Sequence, residues 1–579
     1  MLASRHSWQL RPAASDRVAE IEHDLGLHPL TARLLVIRGL CSPQEAQRFL
    51  DRRLQDLHDP SGLPDMDVAA QRFAKAIAHR HKILIHGDFD VDGSTATALL
   101  LQFCRLCAHD AVAWIPDRID DGYGLGEGSL QAVREHQAEL LITVDCGTQD
   151  NGWAARIEAE TGCAVIITDH HLPGSQLPHC VALVNPNLPG HDYPDRYLAG
   201  VGVAWKLAWA TARELCGSRQ VPERHRAFLL DALALVALGT VADCAPLDGD
   251  NRILVHHGLQ ALRRTPNPGL RALIAVLKLD DGIDAETISW RLAPVLNAAG
   301  RLGSAMDNIA LLTTGDPAEA EGLVRFLVGR NEERRRLTEI LTDDLIHEIE
   351  SNPAYAARSS LVFAGDGWHP GIVGIVANRL AERFTKPSAV ISLDGDVGKG
   401  SLRSAAGVHL GEAIDACQAH LCGGGGHAKA AGISLRADQV AAFAEAFEAH
   451  VRSLCPGGPV SPGIAYDAVI RVADLDAGLF ADIARLEPFG IGNPSPVVRV
   501  DGARFITRPE LFGRGGDHLR GALSDAHGGM CQFLAWRAKR HYEAFSQPRG
   551  SFDLLVRPEI NRWRGNDQYR LVYIDGKTP

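Results

Sequence analysis

Between residues 80 and 190 four apolar, β-branched runs, KILIHGD, ELLITVDCG, AVIITDHH and VALVNP, alternate with stretches of helical pattern. Strands that are apolar along their whole length have no solvated face, so they belong to a parallel sheet covered by helices on both sides. Three of the runs lead into acids. IHGDFDVDG carries Asp88, Asp90 and Asp92, ITVD ends in Asp145, and IITDHH ends in Asp169, His170 and His171. A fourth acid, Asp243, closes the apolar run LLDALALVALGTVA (229–242). In an open parallel sheet the carboxyl ends of neighbouring strands line one crevice, where ligands bind. Residues far apart in sequence therefore meet there, and carboxylates crowded in this way repel one another unless positive charge lies between them.

Carboxylates and imidazoles in one crevice are ligands for a divalent cation. Oxygen-rich sites suit Mg²⁺ or Mn²⁺, and added imidazoles favour Mn²⁺. With five or six ligands, one carboxylate can bridge two ions about 3.5–4 Å apart, a pair that activates water against a phosphoryl group. Each element alone has a plainer explanation: a single Asp after a strand caps a helix or shapes a turn, and a His-His pair packs in a core. Their joint occurrence at strand ends is what points to metal. Asp88 alternates with Asp90 and is expected to point off the crevice or to orient His86.

A chain of 579 residues is too long for one core and suggests about four domains. The net charge of −12 argues against a protein that coats nucleic acid through bulk charge. The acidity is uneven, however, because residues 464–579 hold 16 Lys+Arg against 14 Asp+Glu. The amino terminus has no apolar core of a signal peptide. The run 229–242 carries Asp231, is too short to span a bilayer and is expected in a buried core. The expected compartment is the cytoplasm, with no membrane association. The single CxxC, Cys104–Cys107, has no second pair and reads as two thiols packed on a helix.

Residues 205–315 are mostly helical in pattern, and the charged stretch 317–350 reads as a helical connector between lobes. The β/α rhythm restarts at SLVFAGDGW. CPGGPVSPG (455–463) reads as a linker, and the short alternating runs beyond it suggest a small barrel or sandwich.

The motifs GDFDVDG, VDCG, TDHH and GTVAD, in that order, resemble the DHH phosphoesterase superfamily. Over nearly the whole chain the sequence is similar to that superfamily's bacterial single-strand-specific 5′→3′ exonucleases, with Val91 standing where alanine is usual. The resemblance implies an α/β multidomain fold. Its parts are an N-terminal segment (1–75) packed on a parallel-sheet DHH domain (76–316), a long connecting helix (317–352), a DHHA1 α/β domain (353–455) and a C-terminal OB-like β-barrel (464–579).

It also implies roles. Asp90, Asp92, Asp145, His170 and Asp243 are expected as ligands of two Mn²⁺ or Mg²⁺ ions, with Asp145 bridging and His86, four residues before Asp90, as a further ligand. His171 is expected at the scissile phosphate, where it and Asp145 are the catalytic residues. Arg118 in PDRIDDGYGL, with Ser401 and Arg403 in KGSLRS, is expected to hold a 5′ phosphate. Arg301 in NAAGRLG is expected near the substrate, and His427 at the edge of a phosphate-approaching glycine-rich turn in CGGGGHAKAAG. LEPFGIGNPSPV (486–497) resembles the start of the OB region, where Phe489, Phe505, Phe512, Trp536, Arg537, Trp563, Arg564 and Tyr569 interleave. Such residues stack on bases or fill a barrel core, and for any one aromatic the core is favoured.

The expected activity is hydrolysis of single-stranded DNA from the 5′ end to 5′-mononucleotides, in DNA repair and recombination, by a monomer. A single-strand binding protein and a RecQ-type helicase are the partners the family implies. Two alternatives stay open: a phosphodiesterase of the same superfamily for short oligonucleotides or cyclic dinucleotides, and a non-catalytic DNA-binding scaffold. The complete ligand set argues against the scaffold.

Overall fold

The computed structural model describes all residues except 1, 3, 5, 119–120, 151, 280–281, 406, 455–462, 514, 548–549, 564–565 and 579. The CPGGPVSPG linker, Gly463 apart, lies outside the described residues.

The apolar runs form the expected parallel sheet, from β1 (Ile83–Gly87), β2 (Ala111–Trp114), β3 (Leu140–Val144), β4 (Ala164–Thr168) and β5 (Ala182–Val184). Their order is β2-β1-β3-β4-β5, all parallel. The sequence reading did not single out β2, AVAW, which is short, half-exposed and at an edge. The chain turns from one side of β1 to the other, so the order reverses between β1 and β3. That switch point opens a crevice at their carboxyl ends, where GDFDVDG and VDCG follow. Ile83, Ile85, Leu140 and Ile142 face one core, and Leu84, Leu141 and Val165 face the other, as period-2 alternation demands. The helix Glu223–Ala242 is long and apolar enough to cross a membrane by length and composition, but its Ala232–Val241 stretch is buried in the first core.

The connecting helix runs Pro317–Ser351, about 52 Å long at 1.5 Å per residue. Ala320, Val324 and Leu327 on its first half join the DHH core, and Leu341, Leu345 and Ile349 on its second half join the core of the next lobe. Both sets follow the three- or four-residue spacing of one helix face, so a single rod ties the lobes together.

The second lobe holds β6 (Leu361–Asp366), β7 (Ser388–Asp394), β8 (Val397–Arg403), β9 (Gly423–Gly426) and β10 (Ala430–Arg436), in the order β9-β10-β8-β7-β6. The expected glycine-rich turn is here corrected. Gly423–Gly426 forms the edge strand β9, antiparallel to β10, and the turn falls on residues 427–429.

The last domain contains β11 (Val498–Phe505), β12 (Glu510–Phe512), β13 (His518–Asp525), β14 (Gly528–Ala535), β15 (Phe552–Trp563) and β16 (Asn566–Lys577). Pairing of β11 with β13 at Arg504↔Ser524 closes five strands into a barrel.

The N-terminal segment departs from expectation. Ile21, Leu34, Leu35 and Leu50 share a core with Phe480 and Leu486, which precede the barrel, and with Leu554 and other barrel residues. The strand Trp8–Leu10 pairs in parallel with Ile464–Tyr466. Of the first 78 residues it is chiefly the helix Met66–Ala78, with Leu63 before it, that enters the DHH core. Chain proximity does not choose a packing partner; complementary apolar faces do.

Candidate metal centre and phosphate-binding cleft

Each acid is set in place by the element it ends or begins. Asp90 caps the helix Val91–Leu106, its Oδ1 accepting from Gly93 N at 3.1 Å. Asp92, in that helix's first turn, takes the N–H groups of Gly200 (2.8 Å) and Val201 (2.9 Å) from the start of another helix, Gly200–Cys216. Asp145 follows β3 with φ +63°, a left-handed conformation seldom adopted outside glycine, held by its N–H to Thr168 O (3.0 Å) and by Tyr123 Oη to its carbonyl (3.2 Å). A methyl group at Gly200 would lie 2.5 Å from Asp145 Oδ1, so only glycine admits this carboxylate. Asp243 ends the helix Glu223–Ala242.

These side chains converge. Asp92, His170 and Asp243 form one group of potential ligand atoms all within 4.8 Å of one another; Asp145, His170 and His171 form a second, and Asp88, Asp90 and Asp145 a third. Asp145 and His170 each belong to two groups. Burial, reinforced by neighbouring carboxylates, raises Asp92, Asp145 and Asp88 well above the usual aspartate range, and pushes Asp243 up to about 7. Burial, with the charge of His171, pushes His170 down to about 4. Asp88 Oδ1, Asp145 Oδ1 and His170 Nε2 are buried without a hydrogen-bond partner. Orphaned buried acceptors of this kind are costly, and hard oxygen donors with a neutral imidazole fit Mn²⁺ or Mg²⁺.

Two readings change. Asp88, expected to point away, contributes its carboxylate to the cluster. His86, expected as a ligand, does not join it. Alternation puts His86 on the Leu84 side of β1, where Nε2 meets Ser129 Oγ at 3.1 Å, Nδ1 faces Cys146 Sγ at 3.5 Å, and Trp114 packs at 4.9 Å between ring centroids. Burial drives it down to about 4, so it is a neutral, packed imidazole.

His171 behaves oppositely to His170. Burial opposes its charge, but the 2.7 Å hydrogen bond to Asp169 and the charges of Asp169, Asp243 and Asp88 outweigh burial and raise it to about 9. Asp169 also accepts the N–H groups of Thr148 (2.8 Å), His170 (2.7 Å) and His171 (3.1 Å). Asn185 Nδ2 donates to His171 O and Asn187 Nδ2 to His170 O, while Tyr123 Oη lies 3.1 Å from His171 Nδ1. Asp169, Tyr123, Asn185 and Asn187 were not assigned roles from sequence. The VNPN run after β5 was the available signal.

Across the cleft, Arg403 Nη1 donates to Ser401 Oγ at 2.8 Å on β8. The Pro370–Phe384 helix abuts the pair, since a methyl group at Gly374 would lie 2.9 Å from Ser401 Oγ. Arg301 Nη1 donates to Gly371 O at 3.1 Å, bridging the lobes. Arg118, exposed, stacks 4.6 Å over the Phe89 ring. Burial first, then the charges of Arg118, Arg334 and Arg403, push Arg301 down to about 9; burial and Arg118 lower Arg403. Arginines that depress one another in this way make a site for an anion. His427 lies exposed in the turn before β10, three residues from Ala430, the register partner of Arg403, and joins none of these clusters.

In the barrel, Phe505 packs on Phe533, Phe545 and Phe552, and Tyr569 stacks on Phe480; both are partly buried against the core. Phe489 is partly buried against the same core. Trp536 is exposed and groups with Phe512 and His518, with Arg520 over Phe512. Arg564 and the side chain of Trp563 lie outside the described residues.

Three family descriptions match the chain: the DHH family N-terminal domain over residues 82–240, the DHHA1 domain over 356–453 and the RecJ OB domain over 466–575. The single-stranded-DNA-specific exonuclease RecJ of Escherichia coli is 33% identical, across 99% of both chains. The chain belongs to the RecJ family. The Bacillus subtilis RecJ is 38% identical over 87% of this chain, which spans 62% of that relative's length. The crystal structure of Thermus thermophilus RecJ with Mn²⁺ superposes with a TM-score of 0.82, at 30% identity, covering 99% of this chain and 80% of that one. A second RecJ structure from that organism, with Mg²⁺, gives 0.77 at 28% identity over 99% of this chain and 79% of that one.

Proposed function

We propose that this RecJ-family protein is a divalent-cation-dependent exonuclease that hydrolyses single-stranded DNA from its 5′ end, releasing 5′-mononucleotides during DNA repair and recombination. The observation that carries the reading is the pairing of an orphaned Asp145–His170 cluster with a separate arginine-lined cleft between the lobes. Asp90, Asp92, Asp145, His170 and Asp243, with Asp88, would hold two Mn²⁺ or Mg²⁺ ions, Asp145 shared between them. When bound, such ions bring the pKa of a coordinated water towards neutral and offset charge on the phosphoryl group under attack.

The chain's own residues do the rest. Asp169, buried and fed by three N–H groups, keeps His171 protonated, so the imidazolium donates to an oxygen of the scissile phosphate as charge develops there. Tyr123, on the loop that follows Arg118, approaches the same ring's Nδ1 with its Oη at 3.1 Å and packs edge-on against the ring. Arg118, Ser401 and Arg403 bind the terminal phosphate, and Arg301 steadies the strand entering from it. A pocket that rewards a terminal phosphate admits an end and not a chain interior, which is the source of 5′→3′ polarity in this reading. The exposed Trp536–Phe512 group of the barrel offers stacking surface to further bases, at about 1–3 kcal/mol each. The same reading makes the protein a cytoplasmic monomer working beside a single-strand binding protein and a RecQ-type helicase.

The deciding experiment incubates the full chain and Mn²⁺ with a long 5′-labelled single strand, its duplex, a dinucleotide and a cyclic dinucleotide. Label released from the single strand as mononucleotide is the expected result. Turnover confined to the dinucleotides would replace this reading with a small-substrate phosphodiesterase.

A further inference from the structure

The motif LEPFGIGNPSPV (486–497) leads into the barrel strand β11 (Val498–Phe505). It docks on the turn that carries Asp243. Leaving the helix Glu223–Ala242, the chain passes Asp243 and then Cys244, whose φ of +62° is left-handed without being glycine. Cys244 N donates to Val241 O and Ala245 N to Thr240 O, each at 3.2 Å. Leu247 N then donates to Ile491 O at 2.7 Å.

The fit around that bond is close. A methyl group at Gly490 would lie 2.7 Å from Leu247 Cδ1, and one at Gly492, whose φ is +77°, would lie 3.1 Å from Pro246 Cβ. Asn493, buried, donates through Nδ2 to Leu486 O (2.7 Å) and Pro488 O (2.8 Å), and its Oδ1 accepts from Arg38 Nε at 2.7 Å. From the next helix, Gly249–Arg263, the buried Arg252 donates to Glu487 O (3.0 Å), Arg485 O (3.4 Å), Pro488 O (3.4 Å) and Phe49 O (3.1 Å), with its guanidinium 3.6 Å over the Phe49 ring. Arg52 adds bonds to Glu487 O (2.6 Å) and Arg485 O (3.0 Å). On the opposite side, Asn251 Nδ2 holds Pro246 O at 3.1 Å. The turn is gripped from both sides.

We infer that residues 487–493, with Arg252 behind them, are a positioning element for the metal ligand Asp243: the barrel's entry loop holds the Asp243–Leu247 turn against the mutual repulsion of the clustered carboxylates. The C-terminal domain then sets the geometry of a metal centre formed in a different domain. This rests on the reading of Asp243 as a cation ligand.

The test uses the full chain without DNA and measures Mn²⁺ binding by calorimetry, with single-strand binding in EDTA and the thermal midpoint as companions. Gly490→Leu, which drives a side chain into Leu247, is expected to weaken Mn²⁺ binding about tenfold, the scale of changes to residues that orient ligands, and to leave single-strand binding within about twofold. Arg252→Lys, which keeps charge but cannot reach the same carbonyls, is expected to act in the same direction. Leu247→Ala/Gly490→Leu makes room for the new side chain and is expected to recover most of the lost affinity, which a general loss of stability would not. Unchanged Mn²⁺ affinity in folded Gly490→Leu and Arg252→Lys proteins overturns the inference, as does a double variant that folds but recovers nothing. Asp243→Asn separates the two levels. If it binds Mn²⁺ normally, the ligand assignment falls; if it loses Mn²⁺ while the loop variants keep it, the positioning role alone falls.

Discussion

Asp145 Oδ1 and His170 Nε2 stand 3.0 Å apart at the ends of β3 and β4, both buried, and neither has a hydrogen-bond partner. Burial and the charge of His171 keep His170 neutral, so no ion pair rewards the contact. A divalent cation held by both atoms would satisfy them at once, and Asp145, which also belongs to the Asp88–Asp90 group, is the carboxylate proposed as shared.

Asp145→Ala removes that shared carboxylate. Cleavage of single-stranded DNA in Mn²⁺ is expected to fall on the order of 10³-fold, about 4 kcal/mol of barrier, with single-strand binding within about twofold. Labelled-strand digestion beside fluorescence anisotropy measures both. Near-normal turnover would remove the bridging role.

Arg403, tied to Ser401 and flanked by Arg118 and Arg301, is assigned to the terminal phosphate. Arg403→Ala is expected to cost 5′-phosphorylated substrates about 1.5–3 kcal/mol, the range for hydrogen bonds to charged groups. Substrates with a 5′ hydroxyl are expected to lose far less. Competing the two in one reaction reads the ratio directly, and equal losses contradict the pocket.

His86 separates structure from resemblance. His86→Gln is expected to lower stability by about 1–3 kcal/mol, through its buried contacts with Ser129 and Cys146, and to leave Mn²⁺ affinity nearly unchanged. Calorimetry on the folded variant decides. A tenfold loss of Mn²⁺ affinity at unchanged thermal midpoint would return His86 to the ligand set.

Away from the cleft, Asp195 is buried beside Asp250, which pairs with the buried Lys206 at 2.8 Å. Burial and then Asp250 push Asp195 up to about 6 from 3.8. The unfolded chain releases this proton first, so the contribution of Asp195 to stability is full below about pH 4 and is lost as pH rises to about 6. The loss amounts to about 3 kcal/mol. Asp195→Asn has no such proton, so its thermal midpoint is expected to gain on the parent's between pH 4 and 7. A constant difference across that range would show that Asp195 is ionised in the fold.

Much of the site could be read from the chain because strand and acid are written locally. KILIHGD, ELLITVDCG and AVIITDHH form the strands expected of them, and Asp92, Asp145 and His170 meet because a parallel sheet presents all its carboxyl ends together; Asp243 reaches the same crevice from the end of a helix, not of a strand. Asp88 and His86 were read the wrong way round. Asp88 lies just past β1, where the backbone of the turn and not the strand's period decides which way a side chain points, whereas His86 lies inside β1 and the same alternation that faces Leu84 away from the crevice faces it away too.

By itself the sequence determined the strands β1, β3, β4 and β5, their membership of a covered parallel sheet and the chemistry that follows them, since these follow from side-chain pattern over a few residues; the half-exposed edge strand β2 carries no such pattern. The tertiary structure alone decided that Leu2 and the helices between residues 15 and 51 pack on the C-terminal domain, that four glycines form an edge strand, that Tyr123, Asn185 and Asn187 hold the His170–His171 pair, and that Ile491 reaches the Asp243 turn. Each of those depends on which surfaces and edges fit together in space, through shape and buried hydrogen bonds that no local side-chain pattern encodes, whether the partners are 14 positions apart, as Asn185 and His171 are, or hundreds, as Leu247 and Ile491 are.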